Sequence, residues 1–485
     1  MLFNSLAFLV FLPVVFCLYW FVFNKSLRWQ NALLLLAGYF FYGWWSWKFM
    51  GLLALSTFLD YVYGFYVASA NRRKARLFLW LSVINNLGIL ALFKYYNFFV
   101  QQFQQAFELL NLHIHPVILE IGLPIGISFY TFHGMSYVFD IYRGKVTPVT
   151  NFVEYAVFVS FFPLLVAGPI ERATHLLPQI QQKRIFSYTQ AAQGCRLILW
   201  GMFKKVVIAD SLAVTANHIF NNYQQYNGLT LVLGAIAFSF QIYGDFSGYS
   251  DIALGTAKLF GFELLSNFRF PYFSRDIAEF WRRWHISLSS WFRDYLYVPL
   301  GGSKQGKLIA VRNTFIIFLI SGFWHGASWN FIVWGFIHAC GFLPLLLLNR
   351  NRRHVNEVVA ADRLLPNGKE LLQMFTTFAF VTFAWIFFRI HDIGSAVDYV
   401  KNIFTNFFYW GNAVQYLFIF CYIVPLVMLD WLFRRNERDL QVADRNVLTA
   451  FGSRVVQYAL YTLTALFLLN AIIQKENISF IYFQF

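Results

Sequence analysis

Apolar runs of about twenty residues, the length that crosses a bilayer core, recur along the chain between short polar or cationic breaks. Leu2 to Phe23 is the first, Trp29 to Trp47 the second, and Phe49 to Ala70 the third, ending at Asn71-Arg72-Arg73-Lys74-Ala75-Arg76. Leu77 to Val100 is the fourth, followed by the polar stretch Gln101 to His115. The centre is less regular. Val117 to Phe139 and Phe152 to Val166 are apolar but carry or adjoin Pro124, Gly126, Pro163, Gly168 and Pro169. That predicts broken or re-entrant helices, tolerated at membrane depth only against protein or a water-filled cavity. Residues 171–190 are polar and amphipathic, and 195–220 and 229–262 are apolar again. Ser266 to Arg312 is the least membrane-like part; Asn313 to Phe323 and Asn330 to Leu348 then flank a turn, and Leu371 to Phe388, Val414 to Phe433 and Val455 to Ile473 finish the chain.

The twenty-residue rule predicts about ten to thirteen spanning or re-entrant helices. The fold class is therefore an all-α, polytopic integral membrane protein. It reads as one membrane-embedded domain over 1–485, with N-terminal helices at 1–115, a core at 116–348 and C-terminal helices at 349–485. No clear internal repeat appears, which counts against an inverted-repeat transporter.

Composition sharpens this. Hydrophobic residues make up 59% and charged residues 13%, about half the charge of a soluble domain. So little charge cannot solvate that much apolar surface, which excludes a soluble enzyme, a disordered chain and a fibre. The net charge of +15 sits in short clusters between apolar runs, a topology signal rather than a nucleic-acid one. Lys25, Arg28, Arg72–Arg76 and Arg434-Arg435 belong on the cytoplasmic side, which places both termini outside. The same cations attract an anionic substrate. Residues 1–23 contain no Lys or Arg, so the charged start of a cleaved signal is missing. Cys17, Cys195, Cys340 and Cys421 are scattered; they read as small core residues, with no metal-ligand or disulfide spacing.

Four constellations carry candidate chemistry. The first is the turn Trp324-His325-Gly326-Ala327-Ser328-Trp329, with Asn330 beside it. An ascending arm of eleven residues, Asn313 to Phe323, rises about 16 Å, which puts His325 near mid-membrane in a core about 30 Å thick. A neutral imidazole there can accept a proton from a hydroxyl; the alternative is a hydrogen-bonded core histidine. In the second, Trp281, Trp284, Leu288, Trp291 and Tyr295 recur at helical spacing around Arg282, Arg283, His285 and Arg293. One interfacial amphipathic helix accounts for the Trp and Arg residues but not for His285, and the arginines also suit phosphate oxygens. The third is Gln241 to Asp251, where Asp245 and Asp251 lie inside an apolar run and need a partner or a cavity; pairing with nearby arginines is favoured over catalysis. The fourth is Ala167 to Arg172, where Glu171 and Arg172 suggest a local pair.

The stretches AGPIER (from Ala167), YGDFSGYSDIALG (243–255), EFWRRWHISLSSWFRDYLYVPLGG (279–302) and GFWHGASWNFIVWGFIHA (322–339) together resemble the membrane-bound O-acyltransferase family. The likeness extends to LFNSLAFLVFLP near the start and FIYFQF at the end, so it covers essentially the whole chain. Within the family it is similar to the bacterial branch that O-acetylates alginate, with the teichoic acid D-alanyl branch second. The resemblance implies a ring of helices around a central tunnel. It matches His325 to the family's principal catalytic histidine and His285 to a second polar position that many members fill with Asn. It leaves Trp324, Asn330, Arg282, Arg283, Asp245 and Asp251 as substrate or tunnel residues.

The activity so implied is acyl transfer from a cytoplasmic thioester, acetyl-coenzyme A or another, to a hydroxyl, with no bound cofactor and no metal. His325 takes the hydroxyl proton, and His285 orients the acceptor or donates to the oxyanion. Implied partners are the lipid bilayer, the thioester donor, an extracytoplasmic acetyltransferase and a polysaccharide acceptor, without nucleic acid, at the bacterial cytoplasmic membrane. D-alanyl transfer to teichoic acid, a non-catalytic acyl-donor transporter and a scaffold for an exopolysaccharide complex stay open.

Overall fold

In the computed structural model the described residues are 1–435, except 115, 167, 356, 406 and 408–410, together with 461, 462, 464–466, 468 and 481. Ala167, most of the expected Val455–Ile473 helix, and the terminal FIYFQF apart from Ile481 lie outside them. Among the described residues the chain is helices and connections, with no strand. Seven helices among the described residues are long and apolar enough to cross a membrane: Trp47–Val67, Arg72–Glu108, Gly228–Leu259, Lys307–His325, Trp329–Leu347, Gly368–Arg389 and Gly411–Phe433. A shorter apolar helix, Leu6–Val22, precedes them.

The chain divides into two compact units, Met1–Ala191 with Thr256–Leu265, and Ala192–Gly255 with Ser266–Phe485. In the first, side-chain caps set helix starts: Asn71 Oδ1 accepts from Arg73 N and Lys74 N, and Ser46 Oγ from Phe49 N, meeting donors a helix start leaves open. The polar stretch after Val100 does not end its helix, as hydropathy suggested. The helix runs on to Glu108, because Phe99, Phe103 and Phe107 keep a four-residue apolar spacing. The expected breaks are present. Ile127–Tyr142 begins after Gly126, at φ 74°, and Phe152–Ser160 stops before irregular, buried backbone at 161–166 and 168–172. Asp60, inside Trp47–Val67, accepts from Ser82 Oγ at 2.7 Å and Asn86 Nδ2 at 2.9 Å, so its carboxylate is satisfied by neutral donors on the neighbouring helix.

Several charged groups are buried while many large apolar side chains are exposed. Leu6, Phe21, Trp29 and Trp47 are exposed, whereas Asp60, Lys204, Lys205 and Asp245 are buried. This is the arrangement a lipid solvent permits. The four cysteines are also exposed, not core residues as expected. An apolar run in a membrane protein has two apolar environments open to it, and these thiols take the outer one.

In the second unit, Lys307–His325 and Trp329–Leu347 form a hairpin. A Cβ on Gly322 would lie 2.1 Å from the Phe331 carbonyl oxygen, and one on Gly335 2.2 Å from that of Phe318, so only glycine lets the two backbones approach this closely. Residues 280–295 are not one amphipathic helix. They run through the short helices Ile277–Arg283 and Ile286–Phe292, broken at Trp284-His285. Trp281, Trp284, Leu288 and Trp291 are buried rather than interfacial. A helical period in the sequence identifies an apolar face but not what covers it.

Candidate active site

His325 is the last residue of its helix. Gly326 follows with extended backbone (φ −165°), and Ser328 Oγ accepts from Asn330 N to start the next helix. The helix begins at Lys307, not Asn313, so it has 19 residues and rises about 28 Å rather than 16 Å. Arg312 is accommodated inside it, its guanidinium donating to the Leu300 carbonyl and Asn313 Oδ1. Measured from Arg312, His325 stands about 20 Å along the helix. It is 4% exposed. The rings of Trp324, Trp334 and Phe388 pack edge-on against it at 4.9, 5.2 and 5.3 Å.

His285 sits at the break between the two short helices with φ 44° and ψ 52°, a left-handed conformation that costs a non-glycine residue about 1–2 kcal/mol. Two backbone bonds hold it: Ile286 N to the Asn267 carbonyl and Arg269 N to the Arg283 carbonyl, both 2.9 Å. Its Nδ1 is 3.0 Å from Asn267 Oδ1, which also accepts from Ser287 Oγ at 2.9 Å, while Asn267 Nδ2 donates to Ser250 Oγ at 3.1 Å. An amide oxygen only accepts, so Nδ1 carries the proton and Nε2 the lone pair. Burial pushes this imidazole down to about 3, so it is neutral at physiological pH.

The ring centres of His285 and His325 are 6.4 Å apart. A ring nitrogen lies about 1.2 Å from its centre and hydrogen-bonds over about 3 Å, so one small group can lie within reach of both rings. Trp324 flanks the pair, 6.1 Å from His285. Asn330 is turned away, its Nδ2 donating to the Ile390 carbonyl, which ties the hairpin to the end of Gly368–Arg389.

A pocket of about 650 Å³ lies beside these elements. Arg269, Arg282, Arg293 and Arg352 line it, together with Trp281, Phe318 and Ser321. Ser321 is one helical turn before His325 and Ile286 adjoins His285, but neither imidazole lines the pocket. Arg282 also donates to the Asn351 and His354 carbonyls. Arg283 is elsewhere, bonded to Glu279 at 2.8 Å and to the Glu357 carbonyl. The sequence offered Arg293 with Arg282 as suited to phosphate oxygens but gave no sign of Arg269 and Arg352; their distance along the chain hid the convergence.

The buried carboxylates pair with lysine, not with the arginines anticipated. Lys205 Nζ bridges Asp245 at 2.8 Å and Asp210 at 2.9 Å, and Lys204 meets Asp251. Asp245 also accepts from the Ile481 backbone N–H at 2.6 Å. Lys204 and Lys205 sit in a wide, π-type turn, Phe203–Ala209, inside their helix, which brings both ammonium groups inward. In the first unit Glu171 bonds His175 at 2.8 Å and Leu265 N at 2.6 Å rather than pairing with Arg172. His338 went unnoticed. It is a fully buried imidazole on Trp329–Leu347 whose Nδ1 accepts from Trp281 Nε1 at 3.3 Å. Its signal, an ionisable residue in an apolar run, was as plain as that of Asp245.

Comparison with known proteins gives a consistent picture. The sequence model of MBOAT, the membrane-bound O-acyltransferase family, matches residues 147–383, which include both histidines. The probable alginate O-acetylase AlgI of Pseudomonas putida is 37% identical over the full length of both chains. The peptidoglycan O-acetyltransferase of Helicobacter pylori is 35% identical over 83% of this chain and 80% of its own. The teichoic acid D-alanyltransferase of Streptococcus thermophilus is 30% identical over 54% of this chain and 68% of its own. With its spanning helices, its two neighbouring imidazoles and a full-length relative at this identity, the chain belongs to the membrane-bound O-acyltransferase family and is a multi-pass membrane O-acyltransferase.

Proposed function

We propose that the protein moves an acetyl group from a cytoplasmic thioester to a hydroxyl beyond the bacterial cytoplasmic membrane, for O-acetylation of an extracellular or cell-wall polysaccharide through an extracytoplasmic partner transferase. The observation that carries this reading is the pair of buried imidazoles 6.4 Å apart beside an arginine-rimmed pocket. The relatives named for alginate and peptidoglycan O-acetylation support the acetyl group and the glycan. The whole chain acts as one membrane-embedded domain with both termini outside.

His325 accepts the proton of the hydroxyl as its oxygen attacks the thioester carbonyl carbon. His285 offers the developing oxyanion a ring N–H or orients the acceptor. With Nδ1–H given to Asn267, the orienting role falls to its Nε2 lone pair and the donating role requires the second proton. As the carbon–sulfur bond breaks, the departing thiolate recovers the proton from the His325 imidazolium, so no proton is gained or lost. Burial among Trp324, Trp334 and Phe388 excludes water that would hydrolyse the thioester. Arg282 and its neighbours bind phosphates of a donor such as acetyl-coenzyme A. Arg283 completes the cationic surface through Glu279, Trp324 and Asn330 shape the hairpin end, and Asp245 and Asp251 brace the core through their lysines.

The direct test supplies labelled acetyl and D-alanyl thioesters to membrane vesicles containing the chain and to vesicles with H325A. Acetyl transfer that falls at least about a hundredfold in a variant of parental thermal stability supports the reading. Parental rates in H325A would overturn the catalytic assignment, and D-alanyl transfer without acetyl transfer would replace the acyl group.

A further inference from the structure

The pocket wall reaches the rings around His325 through Trp281. Trp281 lines the pocket and packs 5.7 Å from Trp334, which in turn packs edge-on on His325 at 5.2 Å. Behind the indole lies His338, with ring centres 5.0 Å apart and nearly perpendicular. Its Nδ1 accepts the Trp281 N–H at 3.3 Å, so the neutral ring carries its proton on Nε2. Phe280 and Phe318 lie nearly parallel to the imidazole, at 2° and 18° and 6.3 Å each. Its Nε2 has no hydrogen-bond partner among the described residues. A buried ring with one unsatisfied nitrogen costs stability, and leucine or phenylalanine would serve better if the position only filled space. The polar contact that distinguishes histidine here is the one that fixes the indole.

We propose that Trp281 is the wall that limits the size of the acyl group in the pocket, and that His338 is the positioning residue that holds this wall in place. The inference rests on the reading that the pocket takes an acyl thioester. An acyl chain entering past the arginines and running along Phe318 and Ser321 meets the indole before the rings around His325. A two-carbon group fits beside it with its carbonyl at the two histidines, and each added methylene must displace an indole that is hydrogen-bonded from behind. Discrimination of this kind is worth about tenfold or more per methylene.

The experiment uses membrane vesicles from cells making the full chain, with acetyl-, propionyl- and butyryl-coenzyme A as probes and thiol release as readout. The parent prefers acetyl over butyryl. W281A lowers that ratio by about tenfold or more, mainly through the KM for butyryl-coenzyme A. H338L and W281F, which each remove one partner of the hydrogen bond, lower it in the same direction. Their effects do not add in the double variant. H338N keeps an acceptor oxygen where Nδ1 stood and restores the parental ratio. Unchanged ratios in W281A, W281F and H338L, while acetyl transfer persists, overturn the wall. A shift in H338L that H338N does not rescue overturns the positioning role. A parent inactive with all three thioesters overturns the donor reading itself, and the inference with it.

Discussion

His285 spends about 1–2 kcal/mol of backbone strain to point its ring at the space it shares with His325. Asn267, Ser287 and Ser250 hold that ring through an unbroken chain of hydrogen bonds. Asparagine tolerates the left-handed backbone better than most residues and keeps a donor near Nδ1. H285N should therefore stay within about 1 kcal/mol of parental stability. H285A should lose about a hundredfold in acyl transfer, with H285N between the two. Initial rates alongside thermal unfolding in detergent decide this, and parental rates in both variants would remove His285 from the reaction. At this scale the two histidines were legible, because each interrupts an apolar or aromatic pattern that packing alone does not explain. The tautomer of His285 was not, since it depends on Asn267, eighteen residues away in sequence and adjacent only in space.

At the scale of elements, the hairpin stands on Gly322 and Gly335. G322L must push Phe331 and its carbonyl away, so unfolding in detergent should shift by about 2 kcal/mol or more, with transfer falling as His325 moves. A variant that unfolds like the parent would mean the hairpin spreads freely. The short helix before His285 depends on charge. Burial would raise the Glu279 carboxyl, but hydrogen bonds from Arg275 and the charge of Arg283 outweigh it and hold it below its ordinary value. A carboxyl lowered in the folded state stabilises above its unfolded pKa of about 4.3, and that contribution is lost as pH falls through the lower folded value. E279Q leaves two arginines without their buried partner and should cost about 3 kcal/mol at pH 7, with less difference from the parent in acid. Equal stabilities at pH 7 would show the cluster to be idle. The helices of this region were legible as apolar spacing, but the break at Trp284-His285 was not, because the tertiary contacts with 267–269 compensate for it.

At the scale of the whole molecule, the seven apolar helices among the described residues belong to a membrane enzyme in which four arginines meet at one pocket. Substituting Arg269 or Arg352 by glutamine should raise the KM for acetyl-coenzyme A about three- to tenfold, with kcat nearly unchanged. The difference should shrink as salt is added. A change in kcat alone would place these arginines outside donor binding. Their convergence could not be read from the chain: Arg269 and Arg352 belong to separate basic stretches that hydropathy assigns only to a cytoplasmic side.

The sequence by itself determined what is local or additive. Low charge and repeated apolar runs require a lipid solvent, proline and glycine mark the broken helices, and two long aromatic motifs carry the family and both histidines. Tertiary structure alone decided which groups meet. It paired Asp245 and Asp251 with lysines, split the aromatic stripe and buried its tryptophans, extended the His325 helix back to Lys307, and set His338 behind Trp281. The reason is geometric. Hydropathy and periodicity report the solvent and the face of one segment, while a hydrogen bond or an ion pair depends on a second segment whose position no single stretch of chain encodes.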